Sequence, residues 1–266
     1  TGRTTRPVTT EHRGEAAAAQ PDGPSSEAER AAASLLDLWQ RWENPGRSAN
    51  RGLNLQRIAA AAIEIADADG LAAVSMARLA ERLGYTTMAL YRHVSGKDEL
   101  LELMPEAVFG SIRLDIPEGT AWRPGIEQWS REVLRPYVAS PWLTEINPTG
   151  LNSPSQLAAM DQGLRLLDGT GLPLPEQAAI LLAVSGHIAS HARLLANISR
   201  TASGEGAPMG TLMAHIVGSG RLPWVEAAIN GGIFVPNEDD PDDFEFGLAL
   251  ILDGVEALIA RSAPDS

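Results

Sequence analysis

Apolar residues recur at helical spacing along most of the chain, and short polar or glycine–proline breaks cut the pattern into segments. In the first segment, Ser26 and Glu29 have capping-box spacing, and Leu35, Leu36, Leu38, Trp39 and Trp42 make a stripe that ends near Glu43. Asn44-Pro45-Gly46 breaks this short amphipathic helix. Residues 54–69 predict the next helix, with Ile58, Ala62, Ile63 and Ala66 spaced for burial and Gly70 at its end. Ser75 then stands where an N-cap belongs, because its hydroxyl can accept an otherwise unpaired backbone N–H. Leu79 and Leu83 repeat at i, i+4, and Gly84 follows them where a helix commonly ends in a left-handed residue. Thr86 or Thr87 caps a further helix with Leu90 and Val94 as its buried face. Ser95 to Glu99 opens a fourth, whose apolar positions Leu100, Leu101, Met104, Val108 and Ile112 run well past this unit. Such a helix can join two domains mechanically.

Beyond Pro117-Glu118-Gly119 the pattern predicts helices over 123–139 and 155–169, separated by an irregular stretch from Ser140 to Pro154. Residues 176–200 are apolar around much of the helical circumference, which marks a helix buried on several sides. A mobile loop over 201–210, short helices near 210–218 and 223–230, and an acidic turn from Pro236 to Pro241 are expected next. The last helix, 241–261, carries more apolar surface than the end helix of a monomer leaves in water. Ala and Leu are abundant and β-branched runs scarce, so the fold class is all-α.

The segment from Val74 to Val94 is two short helices joined by a tight turn, with the small Ala80 where they cross. That is the pattern of a helix-turn-helix, whose second helix lies in the DNA major groove. An ordinary helix pair inside an all-α domain has the same spacing. The outward side of the second helix favours DNA: it bears Thr87, Tyr91, Arg92 and His93, with Lys97 one turn on. These groups bind phosphates and base edges.

Composition first seems to oppose this, because the 266 residues carry a net charge of −13. The charge is unevenly placed: residues 51–97 are net +2, residues 1–50 net −1 and residues 98–266 net −14. A phosphate-binding surface needs its own local field, since charges beyond a Debye length are screened. There is no cysteine, which excludes disulfides, thiolate zinc sites and cysteine nucleophiles, and fits a cytoplasmic protein. No uninterrupted run of about eighteen apolar residues is present, so no membrane partner is expected. The polar, Ala/Gly/Pro-rich start lacks a secretory core, and residues 1–25 read as disordered. The helix ending at Glu43 reads as an appendage docked on the rest of the protein, or as a partner-binding or DNA-supporting element. Arg47 to Gly52 is a basic linker, either solvated or reaching a backbone or minor groove through Arg51.

Leu53 to Met104 resembles the DNA-binding domain of TetR-type transcriptional regulators. The resemblance is carried by Ile58-Ala59-Ala60-Ala61, Ala68-Asp69-Gly70-Leu71, Ser75-Met76-Ala77-Arg78-Leu79-Ala80, Leu83-Gly84, Leu90-Tyr91-Arg92-His93-Val94 and Lys97-Asp98-Glu99-Leu100-Leu101. Phe244-Glu245-Phe246-Gly247-Leu248 and Leu252-Asp253-Gly254-Val255-Glu256-Ala257-Leu258 are similar to the last helix of the tetracycline-repressor-like C-terminal domain. The resemblance implies a homodimer whose two heads bind half-sites of a palindromic double-stranded operator. A small-molecule effector in the C-terminal domain would move the heads apart. It divides the chain into an extension (1–50), a helix-turn-helix domain (51–97) and a helical ligand-binding and dimerisation domain (98–266).

It also assigns roles. Thr87, Met88 and Ala89 fall at base-reading positions. Tyr91, Arg92, His93 and Lys97 fall where phosphates are held, Arg92 alternatively reading a guanine, with Ser75, Arg78 and Thr86 beside them. Pocket-lining positions are Trp129, Val133, Asn147, Met160, Leu164, Leu181 and Ser185, with His187 a pocket or dimer-interface histidine, and Arg113 replaces a polar pocket residue of the tetracycline repressor. That set suits a mostly apolar, medium-sized molecule with a few polar handles. His187 and His191 stand at i, i+4, a spacing that can hold a metal, but no third ligand or catalytic motif accompanies them, and no metal, cofactor or enzymatic activity is expected. Two alternatives stand beside the repressor. One is an all-α small-molecule-binding protein or enzyme with a vestigial head. The other is a regulator controlled by a protein partner through the N-terminal extension.

Overall fold

Four polar side chains open helices by accepting a backbone N–H three residues on. Asn54, Ser75, Thr86 and Ser153 take those of Arg57, Arg78, Ala89 and Gln156. The computed structural model describes residues 27–44, 52–112, 114–146, 153–202, 222–231 and 243–262. Among them every regular element is helical: α1 (Glu27–Glu43), α2 (Leu55–Asp69), α3 (Met76–Leu83), α4 (Thr87–Leu90), α5 (Lys97–Phe109), α6 (Trp122–Ala139), α7 (Pro154–Leu167), α8 (Leu174–Ala202), α9 (Pro223–Asn230) and α10 (Asp243–Ser262), with 3-10 turns at Leu71–Ala73 and Pro141–Thr144. The expectations for residues 1–25, Arg51, Arg113, Asn147, the loop and short helix between 203 and 218, and the acidic turn lie outside the described residues.

Two apolar cores organise these helices. The head core joins α2 to α5 through Ile58, Leu79, Leu90, Leu100 and Met104, none of them exposed. The helix α1 belongs to it as well, because Leu38 and Trp39 are buried there while Leu36 on the opposite side stays in water. The appendage therefore docks, and it docks on the head. Trp142 and Leu143, from the 3-10 turn after α6, also enter the head core. Ser140 and Trp142 both donate to Asp67 Oδ1 of α2, at 2.8 and 2.6 Å. The second core gathers α6, α7, α8 and α10 around Ile126, Leu167, Val184, Ile188, Phe244 and Leu252. Tyr137 of α6 packs against both cores. Of α8, Leu174–Arg200 is long and apolar enough to cross a membrane by length and composition. No unbroken apolar run betrays this, because alanines, glycines and serines dilute the leucines. In the protein that helix packs against α6, α7 and α10.

The two helices of the head motif meet through Gly84, which has φ 73° and donates to the carbonyls of Ala80 and Glu81. A side chain would be strained in that left-handed conformation, so glycine ends α3 at little cost. The helix α4 is shorter than its pattern predicts. It ends at Leu90, and the N–H groups of His93 and Val94 both converge on the Leu90 carbonyl, at 2.8 and 3.0 Å. The last turn is thus tightened, although Leu90 and Val94 still point into the core.

Candidate DNA-binding head and ligand cavity

The outward side of α4 and the following turn is open to water at Met88 (69% exposed), Tyr91 (49% exposed) and Arg92, with Thr87, Ala89 and His93 half-buried beside them. Lys97 is exposed at the first position of α5. Neither Arg92 nor Lys97 forms an ion pair among the described residues. The other head arginines are differently placed. Arg82 pairs with Glu64 at 2.6 Å, Arg78 pairs with Asp69, and Arg57 donates to the Gly52 carbonyl at 2.9 Å. Among the described arginines and lysines of the head, Arg92 and Lys97 are exposed without an acidic partner, close in sequence to the exposed Met88 and Tyr91. Ser75 and Thr86 spend their hydroxyl oxygens as helix caps, so they orient the two helices.

The body contains a cavity of about 1240 Å³ between α5, α6, α7 and α8. Trp129, Val133, Met160, Leu181 and Ser185 line it. Leu164 packs in the body core outside that lining. His187 also lies outside it. Its ring stacks on Phe244 of α10 (centroids 5.1 Å apart, planes at 10°), and Nε2 lies 2.9 Å from the Phe244 carbonyl. The fit is close: a Cβ at Gly247 would sit 2.3 Å from His187 Cε1. His191 is 6.4 Å away, ring to ring, and also packs beside Phe244. No group of three metal-ligating side chains occurs among the described residues.

Several wall residues were invisible to spacing. Phe109 and Tyr137 stack edge to face with centroids 5.3 Å apart, both lining the cavity. Burial pushes the Tyr137 phenol above its usual range, only partly opposed by Arg193. Glu106, on α5, is only 4% exposed. Its Oε2 accepts from the Ser155 N–H at 3.0 Å and from the Ser155 hydroxyl at 2.6 Å, at the start of α7. Gln162 donates its amide N–H to the Leu114 carbonyl at 2.7 Å, which leaves its oxygen buried without a partner. Glu106 could have been noticed as a carboxylate on the apolar side of α5, between Leu103 and Val108.

Comparison with known proteins accounts for this pairing of a small head with a hollow body. Residues 58–104 match the model of bacterial regulatory proteins of the tetR family, and residues 116–259 match the tetracyclin repressor-like C-terminal domain. The chain belongs to the TetR family of transcriptional regulators. It is 35% identical over 242 residues to the HTH-type transcriptional repressor DrrR1 of Streptomyces coeruleorubidus, covering 86% of this chain and 87% of that one. Among solved structures it resembles ActR of Streptomyces coelicolor in complex with actinorhodin, with 27% identity, a TM-score of 0.65, and 80% of this chain and 100% of that one covered. The fold is also that of BioQ solved with its double-stranded DNA operator, at 22% identity and a TM-score of 0.53, covering 77% and 99% of the two chains.

Proposed function

We propose that this protein is a ligand-responsive homodimeric repressor acting in the cytoplasm. Its head binds a palindromic operator, and a small, mostly apolar molecule in the body releases it. The observation that carries this reading is the shared helix α5: it begins at the exposed Lys97, directly after the helix-turn-helix, and its last turns, with Glu106 and Phe109, form part of the cavity wall. Thr87, Met88 and Ala89 meet bases, while Tyr91, Arg92, His93 and Lys97 hold phosphates. Met88 offers only apolar contact, which suits a thymine methyl. Arg51 and Asn147, outside the described residues, complete the proposed DNA and ligand sets.

The ligand reading is supported by the size of the cavity and its aromatic, Met and Leu walls, and by the small molecule found in the related ActR. Occupancy reaches the head through Glu106, which ties α5 to α7. A ligand that binds better when this tie is altered shifts the head between two arrangements, by its differential affinity alone. The dimer reading is supported by Leu194, Ile198, Phe246 and Leu250, large apolar side chains exposed on α8 and α10. Two copies of these helices can cover one another as a four-helix interface.

The test starts from duplexes selected out of genomic DNA by the purified protein. A Tyr91→Ala/Lys97→Ala variant is expected to lose at least about a hundredfold in operator affinity in a salt-titrated gel shift, and to lower the salt slope. It should stay folded and dimeric by circular dichroism and light scattering. Unchanged binding would reject the assigned surface.

A further inference from the structure

The helix α1 lies before the part of the chain that the tetR-family model matches, yet its last turn is wired into the turn that follows α4. One guanidinium makes three contacts there. Arg41 Nε donates to Asp37 at 2.8 Å, one terminal nitrogen donates to the His93 carbonyl at 2.8 Å, and the other donates to Glu99 at 2.6 Å. The second oxygen of Glu99 accepts the Ser95 N–H at 2.6 Å. Leu38 and Trp39 seat α1 on the head core, and Gln56 of α2 donates to the Trp42 carbonyl at 2.6 Å. The planar fork of an arginine can hold several acceptors at fixed angles, which an ammonium cannot do.

The turn it grips needs such support. With α4 only four residues long, His93 and Val94 both hang on the Leu90 carbonyl, and the chain passes through Ser95-Gly96 before α5 begins. The His93 carbonyl is left at the end of that turn, and Arg41 satisfies it. Glu99, fixed between Arg41 and Ser95, sets where the first turn of α5 and its Lys97 stand. We infer that Arg41 is a positioning residue for the phosphate grip: it holds the His93–Lys97 corner in the geometry that DNA requires, so α1 is a working helix of the head. The inference rests on the head binding duplex DNA.

Arg41 is not itself one of the phosphate contacts. Its charge faces two carboxylates, Asp37 of its own helix and Glu99 of α5. Burial would lift the Glu99 carboxyl, but the bonds from Ser95 and Arg41 outweigh it and hold that carboxyl below its usual range. The exposed residues around Arg41 on α1 include Asp37 and Glu43, which a polyanion would avoid.

This division of labour gives a specific test in the full-length chain. Arg41→Met keeps the aliphatic stem and removes the fork. Operator affinity, corrected for the active fraction by stoichiometric titration, is expected to fall about tenfold, with the salt slope unchanged. Arg41→Lys should recover part of the loss. Glu99→Gln should weaken binding less, and the double variant should bind no worse than Arg41→Met alone, because both substitutions break one network. A salt slope reduced by about one would make Arg41 a phosphate contact and overturn the inference. Unchanged affinity, a loss explained by the inactive fraction, or additive losses in the double variant would also overturn it. If the wild-type chain selects no duplex at all, the DNA-binding reading fails together with this one. Wild-type binding with an indifferent Arg41→Met defeats only this one.

Discussion

The head and the body bury their helices in different ways. In the head, large side chains such as Leu79, Leu100, Leu103 and Met104 are wholly enclosed, and its described surface arginines are tied to acids or carbonyls except at Arg92. In the body, the helices enclose an open cavity, and Leu194 and Ile198 of α8 and Phe246 and Leu250 of α10 remain in water. The difference teaches where each unit has interactions left to make. The head has spent nearly everything internally and keeps a small set of outward polar groups, which is how a rigid reading surface is built. The body has kept apolar surface in two places, inside its cavity and outside on α8 and α10, where the proposed ligand and the proposed second copy would bind.

The sharpest way to break that comparison is to remove the same chemistry from both. Leu79→Ala deletes a side chain with no exposure in the head core, and is expected to cost about 2–5 kcal/mol in denaturant unfolding. Met160→Ala trims a wall that already faces open volume, and its cost should stay below about 1.5 kcal/mol, since few contacts are lost there. Equal costs at the two sites would mean that the body is packed as tightly as the head.

A smaller effect is expected at the tie between the units. Glu106→Met keeps the length of the side chain but removes both oxygens, so the Ser155 N–H and hydroxyl lose their acceptor. The loss should be about 1–3 kcal/mol in the same unfolding measurement. A Ser155→Ala variant should reproduce most of it, and the double variant should add little. Additive effects would show that Glu106 and Ser155 do not act on one another.

Much of this architecture was legible in local pattern. The caps at Ser75 and Thr86, the glycine at 84 and the buried pair Leu90 and Val94 depend on neighbours within four residues, and each stands where the spacing puts it. The end of α4 was not legible, because a tightened turn and a regular one bury the same side chains. Contacts across long stretches of chain were also hidden. Arg41 meets His93 from 52 residues away, and Ser155 meets Glu106 from 49. Trp142 looked like part of an irregular stretch, yet it completes the head core. The environment of His187 was hidden in the same way, because its ring is engaged by Phe244, on a helix more than fifty residues away.

The smallest expected effect concerns acid, and it sharpens the contrast between the charge pairs of the two units. In the body, Arg131 of α6 holds Glu245 of α10 through two hydrogen bonds of 2.6 and 2.8 Å. The bond from Arg131 keeps the Glu245 carboxyl below its ordinary range, against a small opposing effect of burial. A carboxylate whose folded value is depressed contributes stability that is fully present above its unfolded value and disappears as pH falls through the folded value. Glu99 in the head follows the same rule. Glu245→Gln should therefore lower the melting temperature slightly at pH 7, and the difference from wild type should shrink as pH falls from the usual carboxylate value, about 4.3, through the depressed folded one. Both partners of the Glu245 pair are largely exposed, so the difference at pH 7 should be small and should shrink further in high salt. Glu99, with a side chain only 14% exposed, should keep more of its contribution in high salt. Melting curves of Glu245→Gln and Glu99→Gln between pH 3 and 8, at low and high salt, would reverse this ordering if the head pair were the weaker clasp.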